Sequence, residues 1–177
     1  GIDKHQFKPD YSIEREDHAL SVLNDCINRD WGCGFNIWQD VIKGLPHKVV
    51  GDTPGLSKPA ASTEELVATY QNSRIFLNTS TISPVPTALL EAMSCGCAVV
   101  STETCMIPEI IKNEENGFMS NDPQKLKQYV IDLLNDEDLA KEMGKKARET
   151  ILEKFTLDSF TKTWNKVFGM TSNLIVW

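Results

Sequence analysis

The chain has 177 residues, of which 41% are hydrophobic and 24% are charged, a composition that suits one well-packed domain and excludes wholesale disorder. Its 18 Lys and Arg residues against 25 Asp and Glu residues leave a net charge of −7, which makes nucleic acid and anionic membranes poor partners. No apolar run approaches the ~18 residues of a transmembrane segment, and the N-terminus shows no signal-peptide core.

Strand-like and helix-like segments alternate along the chain, which is typical of an α/β domain with a mainly parallel sheet. In chain order we predict a strand at 18–23, a helix at 31–45, a strand at 48–50, a helix opened by Ser62, a strand at 75–77, a helix at 86–94, a strand at 97–101, a short helix at 106–112 and an extended segment at 117–120. Three more helices follow. The pattern predicts five or six β/α units in a Rossmann-like sheet with helices on both faces, and then a helical C-terminal run.

Local signals indicate where several of these helices begin. Ser62 and Glu65 form the pattern of a capping box, in which each side chain bonds a free backbone N–H group at the helix start. Asp122 and Pro123 are preferred residues for the cap and the first position of the first C-terminal helix. The apolar residues 173–177 indicate either a packing element or an adhesive end.

The five cysteines admit more than one interpretation. Cys95 and Cys97 form a C-x-C pair, and Cys105 follows eight residues later, a spacing that suggests a metal site. No histidine lies near them in the sequence to complete such a site. Reduced thiols in a cytoplasmic protein are the favoured interpretation, ahead of a metal site or a disulfide.

In a doubly wound sheet the loops that follow the strands hold ligands, which directs attention to residues 24–34, 51–61 and 79–87. In the first loop, glycines near the helix start would let backbone N–H groups approach an anion, and Arg29 would clamp a phosphate. An ordinary loop with a surface arginine fits the same residues equally well. Gly51 would let a ligand come close to the backbone, but a turn that needs glycine is the simpler interpretation.

The third loop leads into a helix at Pro86 and carries the strongest signal. The N–H groups of Thr87, Ala88 and Leu89 would be free at the helix start and would face an anion such as a phosphate. Glu91 would lie about 6 Å further along the helix axis, a step that suits the distance from a pyrophosphate to a ribose. A solvated glutamate on the polar side of an amphipathic helix explains the same position, and periodicity alone favours it.

The same segment, PTALLEAMSCGCAVVS at residues 86–101, resembles the signature of the group-1 glycosyltransferases. Residues 107–118 (IPEIIKNEENGF) resemble a second pattern of that family, and residues 122–168 resemble its helical tail. Residues 1–9 resemble the segment that opens the family's second domain. The resemblance covers nearly the whole chain and is weakest between residues 10 and 62.

This resemblance implies one half of a GT-B fold, in which two Rossmann-like domains enclose the active site between them. Residues 1–177 would form a single nucleotide-sugar-binding domain, with a remnant of the interdomain linker at 1–12 and C-terminal helices at 122–170. The domain would bind the donor of a retaining glycosyltransferase of the E-x7-E type, a UDP-, GDP- or ADP-sugar, without a metal or other cofactor. The acceptor-binding N-terminal half would be missing from this chain, so we expect no sugar transfer by the isolated domain.

The resemblance also implies roles for individual residues. Glu91 would bind the donor ribose as the last glutamate of the E-x7-E motif. The backbone amides of Val85, Thr87 and Ala88 would hold the diphosphate, and Arg29 would neutralise its charge.

Three departures from the family pattern accompany these matches. Ser83 stands where the motif has its first glutamate, and Cys33 stands where the family has a lysine beside the diphosphate. The stretch between Gly51 and Ser62 is shorter by about one β/α unit, which typically takes ~30 residues. We therefore assign no catalytic residue. The alternatives are a degenerate module that binds a nucleotide, a sugar phosphate or a protein partner without turnover, and a flavodoxin-like domain, which the helical C-terminal run disfavours.

Overall fold

Five parallel strands form one sheet in the computed structural model, which describes residues 1–172. The strands are β1 (Glu16–Val22), β2 (His47–Val50), β3 (Ser73–Asn78), β4 (Ala98–Ser101) and β5 (Phe118–Met119). The helices are α1 (Asp30–Cys33), α2 (Phe35–Ile42), α3 (Thr63–Asn72), α4 (Thr87–Ser94), α5 (Ile107–Ile110), α6 (Pro123–Asn135), α7 (Glu137–Lys154) and α8 (Leu157–Ser172). The apolar residues 173–177 lie outside the described residues.

The order of the strands in the sheet shows where the chain reverses its winding direction. The order is β2-β1-β3-β4-β5, and all neighbouring strands are parallel. The chain moves from β1 to one side, crosses back over β1 to form β3, and then continues on the other side. Ligands of doubly wound sheets bind outside the carboxyl ends of the strands at such a reversal. The predicted fold class is confirmed, and the crevice between β1 and β3 is the expected position of a ligand.

The link between β2 and α3 is short. Residues 51–61 contain neither a strand nor a helix. Two strand orders are common in doubly wound sheets, 3-2-1-4-5-6 and 2-1-3-4-5. Removing strand 3 from the first order and renumbering the remaining strands in chain order gives the second. The observed order therefore agrees with the loss of one β/α unit at this link. Because flavodoxin-like domains share this order, the strand order alone does not identify the family.

Each face of the sheet packs against its own group of helices. Successive side chains of a strand point to opposite faces, and β3 illustrates this alternation. Phe76 packs with the core side chains of α3, α4 and α5, whereas Ile75 and Leu77 pack with those of α2 and α6. The prediction of helices on both faces is confirmed.

Helix α7 joins the two cores at the amino ends of the strands. Met143 near its start belongs to the core that contains α2 and α6, and Ile151 near its end belongs to the other core. Between them, Gly144 lies against the carbonyl group of Gly96, two residues before β4 begins. The helix therefore crosses the sheet at the edge opposite to the crevice between β1 and β3.

The prediction of a single helix over residues 31–45 is wrong, because the structure has two helices there, α1 and α2. They meet at Gly34, whose φ of 64° breaks the helical path. A side chain at Gly34 would collide with the carbonyl oxygen of Thr79, so only glycine fits this close approach. The helical periodicity of the segment did not reveal a contact that comes from a distant loop.

The first residues of the chain, predicted to be a linker remnant, pack into the domain. Ile2 and Phe7 are buried in the core that contains α3 and α4. Ile2 N–H donates to the carbonyl oxygen of Phe155 at 2.7 Å, and Ile2 in turn accepts from Leu157 N–H at 3.1 Å. This segment is therefore part of the domain's packing and hydrogen bonding.

All five cysteines are free thiols, and three of them, Cys26, Cys95 and Cys97, are buried. Within residues 1–172, no group of three or more His, Cys, Asp or Glu side chains is arranged to hold a metal ion. No helix in this part of the chain has the length and apolar character needed to cross a membrane.

Candidate nucleotide-binding site

The first and third of the loops predicted to hold ligands meet at the carboxyl ends of β1 and β3. The N–H groups of Thr81 and Ile82 donate to the carbonyl oxygen of Gly32 at 3.0 and 3.3 Å. Thr81 Oγ1 also donates to the carbonyl oxygen of Trp31 at 2.6 Å. The two loops therefore form one continuous surface over the crevice.

The start of α2 is closed to an anionic ligand. Asn36 N–H donates to Asp30 Oδ1 at 2.8 Å, and Asn36 Nδ2 donates to Asp30 Oδ2 at 2.6 Å. The Asp30 carboxylate thus occupies the position at which a helix N-terminus attracts negative charge. The expectation that the glycines of this loop would present N–H groups to an anion is not met at α2.

The start of α4 is open. Its N-cap residue, Pro86, makes no side-chain cap, and the N–H groups of Thr87 and Ala88 donate to no residue within 1–172. Leu89 N–H donates to the Pro86 carbonyl oxygen at 3.1 Å, so two of the three predicted donors are free. Val85 N–H, in the preceding turn, also lacks an acceptor among the described residues. Free backbone N–H groups at a helix start can bind an anion, so the start of α4 is the candidate anion site.

Glu91 lies one turn further along α4 and is half-buried. Tyr70 Oη of α3 donates a hydrogen bond to Glu91 Oε2 at 2.9 Å, whereas Glu91 Oε1 has no hydrogen-bond partner among the described residues. Burial raises the pKa of Glu91, and the Tyr70 hydrogen bond acts in the opposite direction. The solvated glutamate that periodicity favours is therefore not what the structure shows. Nothing in the sequence pattern pairs Tyr70 with Glu91.

Arg29 and Cys33 lie together in the first loop. Arg29 is exposed, and its guanidinium group makes no hydrogen bond or ion pair within residues 1–172. Burial raises the pKa of the Cys33 thiol, and the charge of Arg29 partly offsets this effect. Cys33 is therefore a neutral thiol at neutral pH and adds no positive charge to the site. Ser83, in the third loop, is half-buried, and its hydroxyl group has no partner among the described residues.

The structure gives Gly51 a role in packing. It has a φ of 128°, and a side chain there would collide with the carbonyl oxygen of Leu23 at the end of β1. Its N–H group donates to the carbonyl oxygen of Lys58 at 3.0 Å and is not free for a ligand. We therefore leave Gly51 out of the candidate site.

A cavity of about 740 Å³ lies at the opposite edge of the sheet, between the N-terminal segment and α7. The guanidinium group of Arg15 in this cavity donates to the carbonyl oxygens of Ser73 and Cys95 at 2.7 and 2.5 Å. Arg74, also in its lining, pairs with Asp17 at 2.5 Å. These two cations are engaged in holding the fold, and the cavity lies far from the open start of α4.

Comparison with known proteins identifies the family. The sequence model described as "Glycosyl transferases group 1" matches residues 58–150, just over half of the chain. N-acetyl-alpha-D-glucosaminyl L-malate synthase of Bacillus anthracis is 33% identical over 82 residues, which are 45% of this chain and 22% of that protein.

Two solved structures show the same fold. The C-terminal domain of LpcC, a group 1 family glycosyl transferase of Francisella tularensis, is 18% identical with a TM-score of 0.72, over 89% of this chain and 100% of that one. Anabaena Alr3699/HepE in complex with UDP is 16% identical with a TM-score of 0.79, over 96% of this chain and 56% of that one. The chain thus has the fold of one half of a GT-B protein, and it spans about half of HepE. Because the family model covers more than half of its sequence, the chain belongs to the glycosyl transferases group 1 family.

Proposed function

We propose that this chain is the donor-binding half of a glycosyltransferase and holds the nucleoside diphosphate of a nucleotide-sugar at the start of α4. The observation that carries the proposal is the open helix start, with free N–H groups at Thr87 and Ala88 and the half-buried Glu91 carboxylate one turn further on. The structures of HepE with UDP and with UDP-glucose, which share this fold, support the same ligand class.

In this proposal the backbone amides and the side chains of the site have distinct tasks. The amides of Val85, Thr87 and Ala88 bind the diphosphate oxygens, and the exposed Arg29 guanidinium adds a charge-assisted contact. Glu91 accepts hydrogen bonds from the ribose hydroxyl groups. Donors fixed in place before the reaction stabilise the charge that develops on a leaving diphosphate. None of these residues acts as a nucleophile.

Transfer with retention of configuration, from a donor to an acceptor held by a second domain, completes the proposed reaction. A second domain must contribute to such a site, so we expect the isolated chain to bind nucleotide without transferring sugar. Ser83 supplies a hydroxyl group, not a carboxylate, to the donor sugar.

A binding module without turnover is a second candidate. The neutral Cys33 thiol favours it, because it leaves Arg29 as the single cation of the first loop beside the diphosphate. If that module binds a nucleotide, the two candidates differ in whether sugar transfer follows once the second domain is supplied; if it binds a sugar phosphate or a protein partner, they differ already in nucleotide binding.

Calorimetric titration of the chain with UDP, GDP and ADP tests the proposal. We expect one of them to bind, and Glu91→Ala to weaken its binding by about 1–3 kcal/mol, as for a lost hydrogen bond to a charged group. Glu153→Ala is the matched control, because Glu153 is an exposed glutamate of α7 with no ion pair among the described residues. Absence of binding by all three nucleotides at millimolar concentration would reject the proposal.

A further inference from the structure

The carboxylate of Glu91 is held on one side only. Its Oε2 atom accepts the hydrogen bond from Tyr70, and its Oε1 atom has no partner among the described residues. A carboxylate can rotate about its last side-chain bond, which is a soft torsion. The hydrogen bond from Tyr70 limits this rotation and leaves Oε1 as the oxygen that a ligand can reach.

Tyr70 is itself held rigidly. It is fully buried, and its ring packs edge-on against Phe7 and Phe76, with ring centroids 6.4 and 5.9 Å away. Its carbonyl oxygen accepts hydrogen bonds from Arg15 Nη1 at 3.4 Å and from Cys97 Sγ at 3.2 Å. Both ends of the residue are therefore fixed, and its hydroxyl group is presented to α4 at a defined point.

The direction of the Tyr70–Glu91 hydrogen bond is also set while Glu91 is ionised. Burial and the neighbouring Glu91 raise the pKa of Tyr70 far above its ordinary value. The hydroxyl group therefore keeps its proton at neutral pH. Because an ionised carboxylate can only accept, Tyr70 donates to Glu91 Oε2 whenever Glu91 is charged, and this hydrogen bond stabilises the ionised form.

We propose that Tyr70 is the positioning residue of the nucleotide site: its hydroxyl group orients the Glu91 carboxylate so that Oε1 faces the ribose of the ligand. This inference rests on the proposed function, since it assigns the oxygen through which Glu91 binds. It also connects the N-terminal segment to the site, because Phe7 is one of the two rings that hold Tyr70 in place.

The first test compares Tyr70→Phe with the wild-type chain in titrations with UDP, GDP and ADP. The substitution keeps the buried ring and removes only the hydroxyl group, and we expect about tenfold weaker binding of whichever nucleotide binds, which corresponds to about 1.4 kcal/mol. Tyr129→Phe is the matched control, because Tyr129 stacks on Phe118 at 4.4 Å in the other core. We expect this control to bind like the wild type. Equal affinities of wild type and Tyr70→Phe would overturn the inference.

The second test needs no ligand. Carboxyl carbon NMR of the free protein, with Glu91→Ala to assign the signal, measures the pKa of Glu91 in the wild type and in Tyr70→Phe. Loss of a hydrogen bond to the ionised form favours protonation, so the pKa of Glu91 rises in the variant. If nucleotide binding needs the ionised carboxylate, then on acidification the variant should lose binding at a higher pH than the wild type does.

The two tests separate the possible failures. If no nucleotide binds to the wild type, the proposed function fails, and the NMR titration still decides whether Tyr70 controls Glu91. An unchanged Glu91 pKa in Tyr70→Phe overturns the inference in either case. A raised pKa with unchanged nucleotide affinity overturns it as well, because Tyr70 then acts on Glu91 without acting on the ligand.

Discussion

Single residues decide which helix start at the carboxyl edge of the sheet can receive an anion. At α2, Asp30 supplies a carboxylate that bonds the backbone and side chain of Asn36. At α4, the N-cap residue is Pro86, whose side chain has no acceptor, so the amides of Thr87 and Ala88 have no partner within residues 1–172. A phosphate would meet repulsion from a carboxylate at the first helix and unused donors at the second. The proposed anion site is therefore assigned to α4 and not to α2.

Arg29→Gln tests whether the first loop contributes to that site from across the crevice. The substitution removes a charge from an exposed side chain with no partner in residues 1–172, so the fold should keep its stability. We expect nucleotide affinity to fall by about 1.5 kcal/mol, and the loss to shrink as salt is added. Lys145→Gln is the control, since Lys145 lines the cavity at the opposite edge of the sheet. Equal losses of affinity in the two variants at low salt would show that Arg29 acts only through net charge.

The sequence predicts the members of the candidate site better than their partners. The family signature points to Glu91 and to the amides of Thr87 and Ala88, because those positions follow from the resemblance. The Tyr70 hydroxyl on Glu91 and the Asp30 carboxylate at α2 come from neighbouring elements or turns that pack together only in three dimensions. No periodicity or spacing in the sequence encodes these contacts.

At the scale of elements, predictions that rest on local chemistry are the accurate ones. Ser62 caps α3 as predicted, since its Oγ accepts from Glu65 N–H at 3.3 Å. The second half of the capping box differs, because the Glu65 carboxylate accepts from Ala61 N–H and not from Ser62 N–H. The break between α1 and α2 at Gly34 was not predicted. It depends on the approach of a loop that lies about 45 residues further along the chain, and local propensity contains no information about that approach.

The crossing of α7 beneath β4 depends on a close contact between two glycines. A side chain at Gly144 would lie well inside contact distance of the Gly96 carbonyl group, which belongs to the backbone and has little freedom to move. The two backbones therefore approach each other as closely as they do because Gly144 carries no side chain, whereas a Cβ atom at Gly96 would lie 3.9 Å from the Gly144 carbonyl oxygen, an ordinary contact. This contact sets how close α7 lies to the amino end of β4.

Gly144→Ala should therefore destabilise the protein, although alanine is the better helix former. We expect a loss of about 1–3 kcal/mol in the free energy of unfolding, as for overpacking in a core. Gly169→Ala in α8 is the matched control, because a Cβ atom there would have no heavy atom within 4 Å among residues 1–172. That substitution should gain up to about 1 kcal/mol from helix propensity. Urea unfolding of both variants measures the two effects, and stabilisation by Gly144→Ala would show that the helix crossing is not tight.

At the scale of the whole molecule, the strand order places the reversal of the sheet, and the N-terminal segment packs into the core of the domain. The order β2-β1-β3-β4-β5 keeps the reversal between β1 and β3, beside which the proposed site lies, although the link at residues 51–61 is short. The sequence resemblance predicts a linker at residues 1–12, whereas Ile2 and Phe7 are core residues. A pattern that marks a domain's first residues does not show whether their side chains pack inside it.

Phe7→Ala tests whether this segment belongs to the domain. Phe7 is buried against Tyr70, and its carbonyl oxygen accepts from Ser94 Oγ at 2.5 Å and from Arg148 Nη1 at 3.2 Å. Truncating a buried phenylalanine costs about 3–5 kcal/mol, a large part of the stability of a typical domain. Tyr11→Ala is the control, because Tyr11 is 88% exposed and its loss should change stability by no more than about 0.5 kcal/mol. Equal, small effects of the two substitutions in urea unfolding would show that the segment is a linker after all. A large effect of Phe7→Ala alone, with weaker nucleotide binding in the fraction that stays folded, would show that the start of the chain supports both the core and the orientation of Glu91.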